Sequence, residues 1–565
     1  MCRSNRTWIL ALALSVAGSA MAQTLPTGLT VEPFYDTSKA GVSFRKDEQA
    51  VTGMWEVPGM PQHFLVLGYF GFIWSFYPDT SKPYQPGQIR DYTKAQVANF
   101  NTEVMKGWEQ GALGGSFDPN FKVNRYFYTI YNKYASASSY HAGVKPGSQE
   151  FQAGLVAVLR WKLSADLKTL TRDTTILSMD HGSGYGSCNM VFGKDGMMYI
   201  TADAYSKNSW DSTVFMRKIL RIDVSKQDPG KLYAIPTDNP FFNATNPAVK
   251  KEIYAFGFRN TYSIVANYIT GSILGGEVGQ ATWDEVNVIK PGKNYGWANG
   301  GDGESTHFGV GIEGPCSANT SSGQAWNETL KNPYSYKGTF SQDRAITCAD
   351  LTNGTWNFNH SGKDLGGSKT AVQGLGLNCI ILSPAFRGDP ASPFFGYHFV
   401  TDVRRHYFVA IKEGVPDAKE VGGLPASLKF SGDLNHNGIT SFSEDSYGNM
   451  YPILLSSGPS GAFAWHDIFR MSHPQMKGLP APRDGGVFPT AIQKTHADRL
   501  RSEGFRPLAF IGAGPAWVRM PKDATRLELW SVEGRILWSA TARFGEAVTL
   551  PGNLTAGPLW ARFLP

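Results

Sequence analysis

The chain has 565 residues with 42% hydrophobic, 13% aromatic and 18% charged residues and a net charge of +6, room for one large β-rich domain plus a small one. Removing Arg3 and Arg6 with an N-terminal leader brings that charge to about +4, and no basic block remains that would track phosphates. Nucleic acid is therefore excluded as a partner.

Arg3 and Arg6 precede an apolar stretch from Trp8 to Ala17 that is too short to span a bilayer, and Ala20-Met21-Ala22 supplies small residues for cleavage. Residues 1–22 thus read as a secretory signal peptide, with Gln23 as the new N-terminus. Cys2 lies ahead of the apolar stretch, which argues against a lipoprotein. No later stretch approaches the ~20 apolar residues of a membrane span, so the expected product is a secreted or periplasmic protein without a span. Cys188, Cys316, Cys348 and Cys379 remain after cleavage. In an oxidising compartment they allow two bridges. Cys316 and Cys348 flank one Gly/Asn/Ser-rich stretch and would staple it. Cys188 and Cys379 would then be bridged or remain free, and the three connectivities stay open. No cysteine or histidine spacing suits zinc.

Short alternating runs entered through tight turns recur along the chain: Phe64–Leu67, Tyr126–Ile130, Met197–Ile200 and Met450–Ile453. The last two follow similar turns, Lys194-Asp195-Gly196 and Ser446-Tyr447-Gly448. Period-two runs between Asp/Gly/Asn turns predict antiparallel strands, and their repetition predicts an all-β propeller of four-stranded blades over residues 26–472. Residues 300–370 are rich in Gly, Asn, Ser and Thr and read as an insertion. Residues 473–505 are rich in Pro, Gly and charge and read as a linker. Arg526–Trp530 and Ile536–Trp538, around Val532-Glu533-Gly534, predict a hairpin in a small β module over 506–565. Its strand–Gly-Arg–strand pattern is similar to C-terminal sorting domains of secreted bacterial proteins, and an accessory β-sandwich is the alternative.

Several segments carry potential chemistry: Trp108–Pro119, Asp180-His181-Gly182-Ser183-Gly184, Arg217–Asp223 followed by Tyr233–Phe241, Ala255–Asn260, and Gly279–Asn287 running on to Asn294-Tyr295-Gly296-Trp297. A histidine titrates near neutrality and suits removal of a hydroxyl proton. The glycines at 182, 184 and 186 predict a loop here, and only in a loop could Asp180 work with its neighbour His181. An arginine beside an amide, as in Arg259-Asn260, suits stabilisation of charge developing on oxygen.

In order and spacing these segments closely resemble the glucose/sorbosone dehydrogenase family, over roughly residues 30–470. The resemblance implies a six-bladed propeller that uses pyrroloquinoline quinone (PQQ) and calcium to oxidise an aldose or oligosaccharide at C1 to the lactone, with electrons passed to an external acceptor. It implies that His181, beside Asp180, is the general base and that Arg259 and Asn260 contact the quinone oxygens. Glu109 would line the cofactor and sugar pocket with Asp203, and Arg404 would meet the quinone carboxylates. Backbone carbonyls of Gly279 and Gln280 would hold the cofactor calcium, and Glu285 and Tyr295 a second, structural one. The turn Asp433–Thr440 lacks two arginines that grip the cofactor in the best-known members, and Val278 replaces a glutamine. A non-catalytic glycan- or protein-binding propeller is therefore the alternative. A nicotinamide enzyme is disfavoured because no strand–GxGxxG–helix unit occurs. A lactonase is disfavoured because no convergent carboxylates form a motif.

Overall fold

The computed structural model describes residues 25–483 with breaks at 36–50, 80, 82–90, 106–109, 135–153, 183–185, 205–208, 210, 280–282, 299–305, 308–351, 353, 360–378, 403–406, 425–437, 458–462 and 465–467, and beyond 504 the backbone of strands only. The signal peptide, Glu109, Gln280, Arg404, Cys316 and Cys348 lie outside the described residues.

The described chain is an all-β propeller. Five antiparallel four-stranded sheets follow one another in chain order, four of them built from consecutive strands and one interrupted before its last strand by the separate pair Trp297–Ala298 and Thr306–His307. Blade I holds Val51–Glu56, Phe64–Gly68, Phe72–Pro78 and Tyr92–Asn99. Blade II holds Ala112–Phe117, Tyr126–Tyr134, Gly154–Leu163 and Leu170–Gly182. Blade III holds Cys188–Phe192, Met198–Ala202, Lys218–Ile222 and Ile253–Phe256. Blade IV holds Thr261–Ala266, Ile273–Glu277, Trp283–Val288 and Trp356–Asn359. Blade V holds Ile380–Leu382, His398–Asp402, Tyr407–Lys412 and Val415–Gly423. A three-stranded sheet follows, made of Gly438–Glu444, Met450–Ser457 and Phe463–Ala464.

The first strand of each blade packs against the first strand of the next, and Gly438–Glu444 returns to Val51–Glu56. At that junction Ser443 Oγ donates to Met54 O at 2.5 Å and Ser446 N to a Glu56 carboxylate oxygen at 2.7 Å. Blades pack face to face, so strands such as Phe64–Gly68, Met198–Ala202 and Lys218–Ile222 are buried along their whole length. The two similar turns enter their strands in the same way: Gly196 and Gly448 have φ of 74° and 78°, where glycine carries no Cβ penalty.

Two sequence boundaries change. Trp356–Asn359 falls inside the stretch read as an insertion, yet it pairs with Trp283–Val288 as the outer strand of blade IV. The linker read from His473 onward begins pinned to the propeller: Asp389 N donates to Lys477 O at 2.8 Å, Leu479 N to Tyr447 O at 2.6 Å and Arg483 N to Ser446 O at 2.8 Å. Cys188 is a buried free thiol, and Cys379 is half-buried, its backbone N donating to Asp402 Oδ2 at 2.7 Å. Arg526–Trp530 pairs with Ile536–Thr541 as expected, in a sheet with Leu559–Leu564 and Phe505–Leu508.

Candidate active site

The candidate residues gather where blades II, III and IV meet. His181 ends the outer strand of blade II and is fully buried. The expected loop is strand as far as Gly182, with a register shift at its end that pairs Gly182 with Gly154 and Asp180 with Leu155; Asp180 is exposed and His181 buried. The glycine-rich segment nevertheless matters: a Cβ on Gly186 would stand 1.7 Å from His181 Nε2, so only glycine admits the ring there.

Ser187, next in the chain, hydrogen-bonds through Oγ to Asn260 Oδ1, and its carbonyl accepts from Asp203 N at 2.8 Å. Asp203 in turn accepts from Arg217 Nε at 3.0 Å. Through Gly186 and Ser187, His181, Asn260 and Asp203 thus belong to one buried cluster.

Arg259 and Asn260 are held by Glu277, which sequence reasoning did not single out. The Glu277 carboxylate accepts from Arg259 N, from Asn260 N at 2.9 Å and from Thr261 Oγ1 at 2.6 Å. Burial pushes its pKa up to about 7, against these three hydrogen bonds and with Asp203 adding negative charge nearby. The Arg259 guanidinium donates to Val278 O at 3.0 Å and lies over the Trp297 ring at 5.6 Å.

The segment before it packs on Asn294–Trp297. Gly257 has φ 82°, and a Cβ there would lie 2.0 Å from Asn294 Oδ1. Tyr295 N donates to Phe256 O and Trp297 N to Gly257 O, both at 2.9 Å, while Phe258 and Tyr295 stack at 4.8 Å. Gly279 is buried and donates to Asp284 Oδ1 at 2.8 Å. The other Asp284 oxygen accepts from Ile380 N at 3.1 Å, tying blade IV to blade V.

Glu285 sits opposite Glu277 on the neighbouring strand and opposite Asn357 on the other side. Burial, then repulsion by Glu277, raises its pKa well above the usual carboxylate range. Glu285 Oε1 and Asn287 Oδ1 are buried without a hydrogen-bond partner among the described residues, although Asn287 Nδ2 donates to Glu285 Oε2 at 3.2 Å. Hard, unpaired oxygens on one sheet face suit a calcium ion. The Tyr295 hydroxyl is already engaged, donating to Val288 O at 2.8 Å and accepting from Lys290 N at 2.9 Å. Among the described residues no group of three or more His, Cys, Asp or Glu could hold a metal ion.

The motif Arg217–Asp223 with Tyr233–Phe241 has a scaffolding part. Arg221 is clamped by Asp238 at 2.7 Å and Asp195 at 3.0 Å, and Asn239 Nδ2 donates to Arg221 O at 2.9 Å.

The fold defines the described chain as an all-β propeller. Residues 84–321 match the family model described as "Glucose / Sorbosone dehydrogenase", so that segment is similar to this family. Quinoprotein glucose dehydrogenase B of Acinetobacter calcoaceticus is 28% identical over 217 residues, 34% of this chain and 40% of that one. Aldose sugar dehydrogenase YliI of Escherichia coli (strain K12) is 28% identical over 142 residues, 24% of this chain and 36% of that one. The aligned segments thus span less than half the length of these relatives. The apo-form structure of the soluble aldose sugar dehydrogenase of Escherichia coli aligns with 79% of this chain and 99% of its own, at TM-score 0.50 and 17% identity, a likeness of fold.

Proposed function

We propose that the protein is a quinoprotein sugar dehydrogenase, oxidising an aldose or oligosaccharide at C1 to the lactone with PQQ and calcium and passing electrons to an external acceptor. The observation that carries this reading is the buried cluster joining His181 to Asn260 through Gly186 and Ser187, in a chain related to a quinoprotein glucose dehydrogenase. The three-stranded sheet between blade V and blade I would be the sixth blade, completed by Phe469–Ser472, which pairs with Thr30–Pro33 and is tied in by the Ile453–Ile468 bridge.

When bound, the calcium-held quinone supplies the electrophilic hydride acceptor. His181 would take the proton from the C1 hydroxyl as the hydride leaves that carbon. Arg259 and Asn260, fixed by Glu277, would donate to oxygens on which negative charge grows. Their fixed geometry matters because donors that need no reorientation stabilise a transition state most. Asp203 would order the sugar-facing side of the cluster, with Glu109 lining the pocket and Arg404 meeting cofactor carboxylates. Gly279 and Gln280 would present carbonyls to one calcium. Glu285, with Asn287 beside it and Tyr295 close by in the chain, would serve a second, structural one. The leader implies a periplasmic or secreted location, and the C-terminal strands would form a separate module.

The test is reconstitution. Purified apoprotein given PQQ and calcium should reduce an artificial dye with at least one member of an aldose and oligosaccharide panel, and His181→Ala should bind PQQ without turning over. Absence of both a cofactor-dependent absorbance change and dye reduction would overturn the reading.

A further inference from the structure

Arg217 is 3% exposed and its backbone is left-handed, with φ 61°. A residue with a Cβ adopts that conformation at a cost and holds it only where its surroundings enforce it, and such strain gathers at ligand sites. Here the enforcing contacts are Arg217 N donating to Ala202 O at 2.8 Å and Nε donating to Asp203 Oδ1 at 3.0 Å. Only one edge of the guanidinium is used in this way. Nη1 is buried and has no acceptor among the described residues. A buried guanidinium donor without an acceptor is unfavourable unless a ligand supplies one.

Its place in the fold connects it to the cluster above. Asp203 bonds through its main chain to Ser187, Ser187 bonds to Asn260, and Asp203 lies close enough to Glu277 to act on it electrostatically. Asp203 pairs with Arg217, whereas the Arg259 guanidinium has no ion pair among the described residues and meets a carbonyl and an indole face. The neighbouring Lys218 is engaged elsewhere, donating to Met216 O at 2.9 Å.

We propose that Arg217 is a ligand-reading residue: Asp203 holds one edge of its guanidinium, and the buried, unpartnered Nη1 donates to a carboxylate of the molecule bound at this cluster. The carboxylate could belong to the quinone cofactor or to a sugar acid such as a uronate. The inference rests on the sugar dehydrogenase reading for the identity of those ligands.

Arg217→Gly removes the guanidinium and places in the left-handed position the residue that tolerates it best, so a purely structural role predicts unchanged ligand affinity. Full-length wild type and Arg217→Gly are titrated with PQQ in the presence of calcium, followed by tryptophan fluorescence, and with D-glucuronate and D-glucose by calorimetry. Weakening of PQQ binding by roughly ten- to a hundredfold assigns the contact to the cofactor carboxylate. Unchanged PQQ affinity with selective loss of glucuronate binding assigns it to the substrate. Unchanged affinity for both overturns the inference. If wild type binds no PQQ, the quinone reading fails and glucuronate alone decides; absence of glucuronate binding then overturns this inference too. Should Arg217→Gly fold poorly, Arg217→Lys, which keeps the charge but loses the planar fork, is read against the same outcomes.

Discussion

Gly186 lies against the imidazole of His181, so close that a Cβ would stand 1.7 Å from Nε2 and 2.5 Å from Cδ2. The ring cannot stay where it is once any side chain replaces that hydrogen. Gly186→Ala should therefore move the imidazole while leaving His181 in place chemically. A displacement of about 1 Å from productive geometry can cost ~10²-fold in rate, so kcat/KM should fall on that order. PQQ affinity should change far less. Dye-reduction kinetics beside a PQQ titration measure both, and an undiminished kcat/KM would show that His181 does not need this position.

Glu277 reaches two backbone amides and a hydroxyl from three consecutive residues, Arg259, Asn260 and Thr261. Glu277→Ala orphans those donors in a buried site, which should destabilise the protein by about 3 kcal/mol or more and loosen the Arg-Asn pair. Glu277→Gln keeps a carbonyl oxygen for the two amides and should retain most of the stability. Denaturant melts of the two variants should differ by more than about 1 kcal/mol, in favour of the glutamine. Equal losses would show that the size of the side chain, not its acceptors, holds the turn.

The propeller could be read in advance because its signal is local. Alternating runs after Lys194-Asp195-Gly196 and Ser446-Tyr447-Gly448 each specify a strand and its entry turn. Arg259, Asn260, Gly279, Glu285 and Tyr295 can be named as candidates because they sit inside contiguous motifs. Glu277 cannot, because its importance lies in contacts: a carboxylate at the end of a strand does not reveal in sequence that it faces three donors. Arg217 stands in a motif, but nothing there sets it apart from its neighbours. The glycines after Asp180-His181 suggest a loop, yet the strand runs on to Gly182, and it is Gly186 that makes room for the His181 ring. Trp356–Asn359 was missed because a four-residue strand embedded in Gly/Asn/Ser-rich sequence has too short a period to stand out.

Glu285 Oε1 and Asn287 Oδ1 are buried acceptors without donors among the described residues, and a cation would satisfy both. Calcium should raise the wild-type melting temperature; at a hundred times its Kd a single ion contributes ~2.7 kcal/mol. Glu285→Gln should lower the calcium stoichiometry by one in calorimetry and remove that ion's share of the thermal shift. Chelation should leave the variant less affected than the wild type. A stoichiometry unchanged by Glu285→Gln would place any calcium elsewhere.

Lys218 titrates abnormally for a reason unrelated to catalysis. It is buried between blade strands, and burial pulls its pKa down to about 7, with Asp211 opposing and Arg217 assisting the shift. Between that value and the ordinary lysine range the unfolded chain holds a proton that the folded chain does not. Stability contributed by this group must therefore rise as pH increases from about 7, by up to ~1.4 kcal/mol per pH unit, and its penalty is fully present below 7. Lys218→Met removes the titrating group and fills similar volume. The variant should melt higher than wild type at pH 6.5, and the gap should narrow steadily toward pH 9.5. A gap that stays constant with pH would mean that Lys218 remains charged in the fold, its ammonium held by Met216 O and the nearby Asp211.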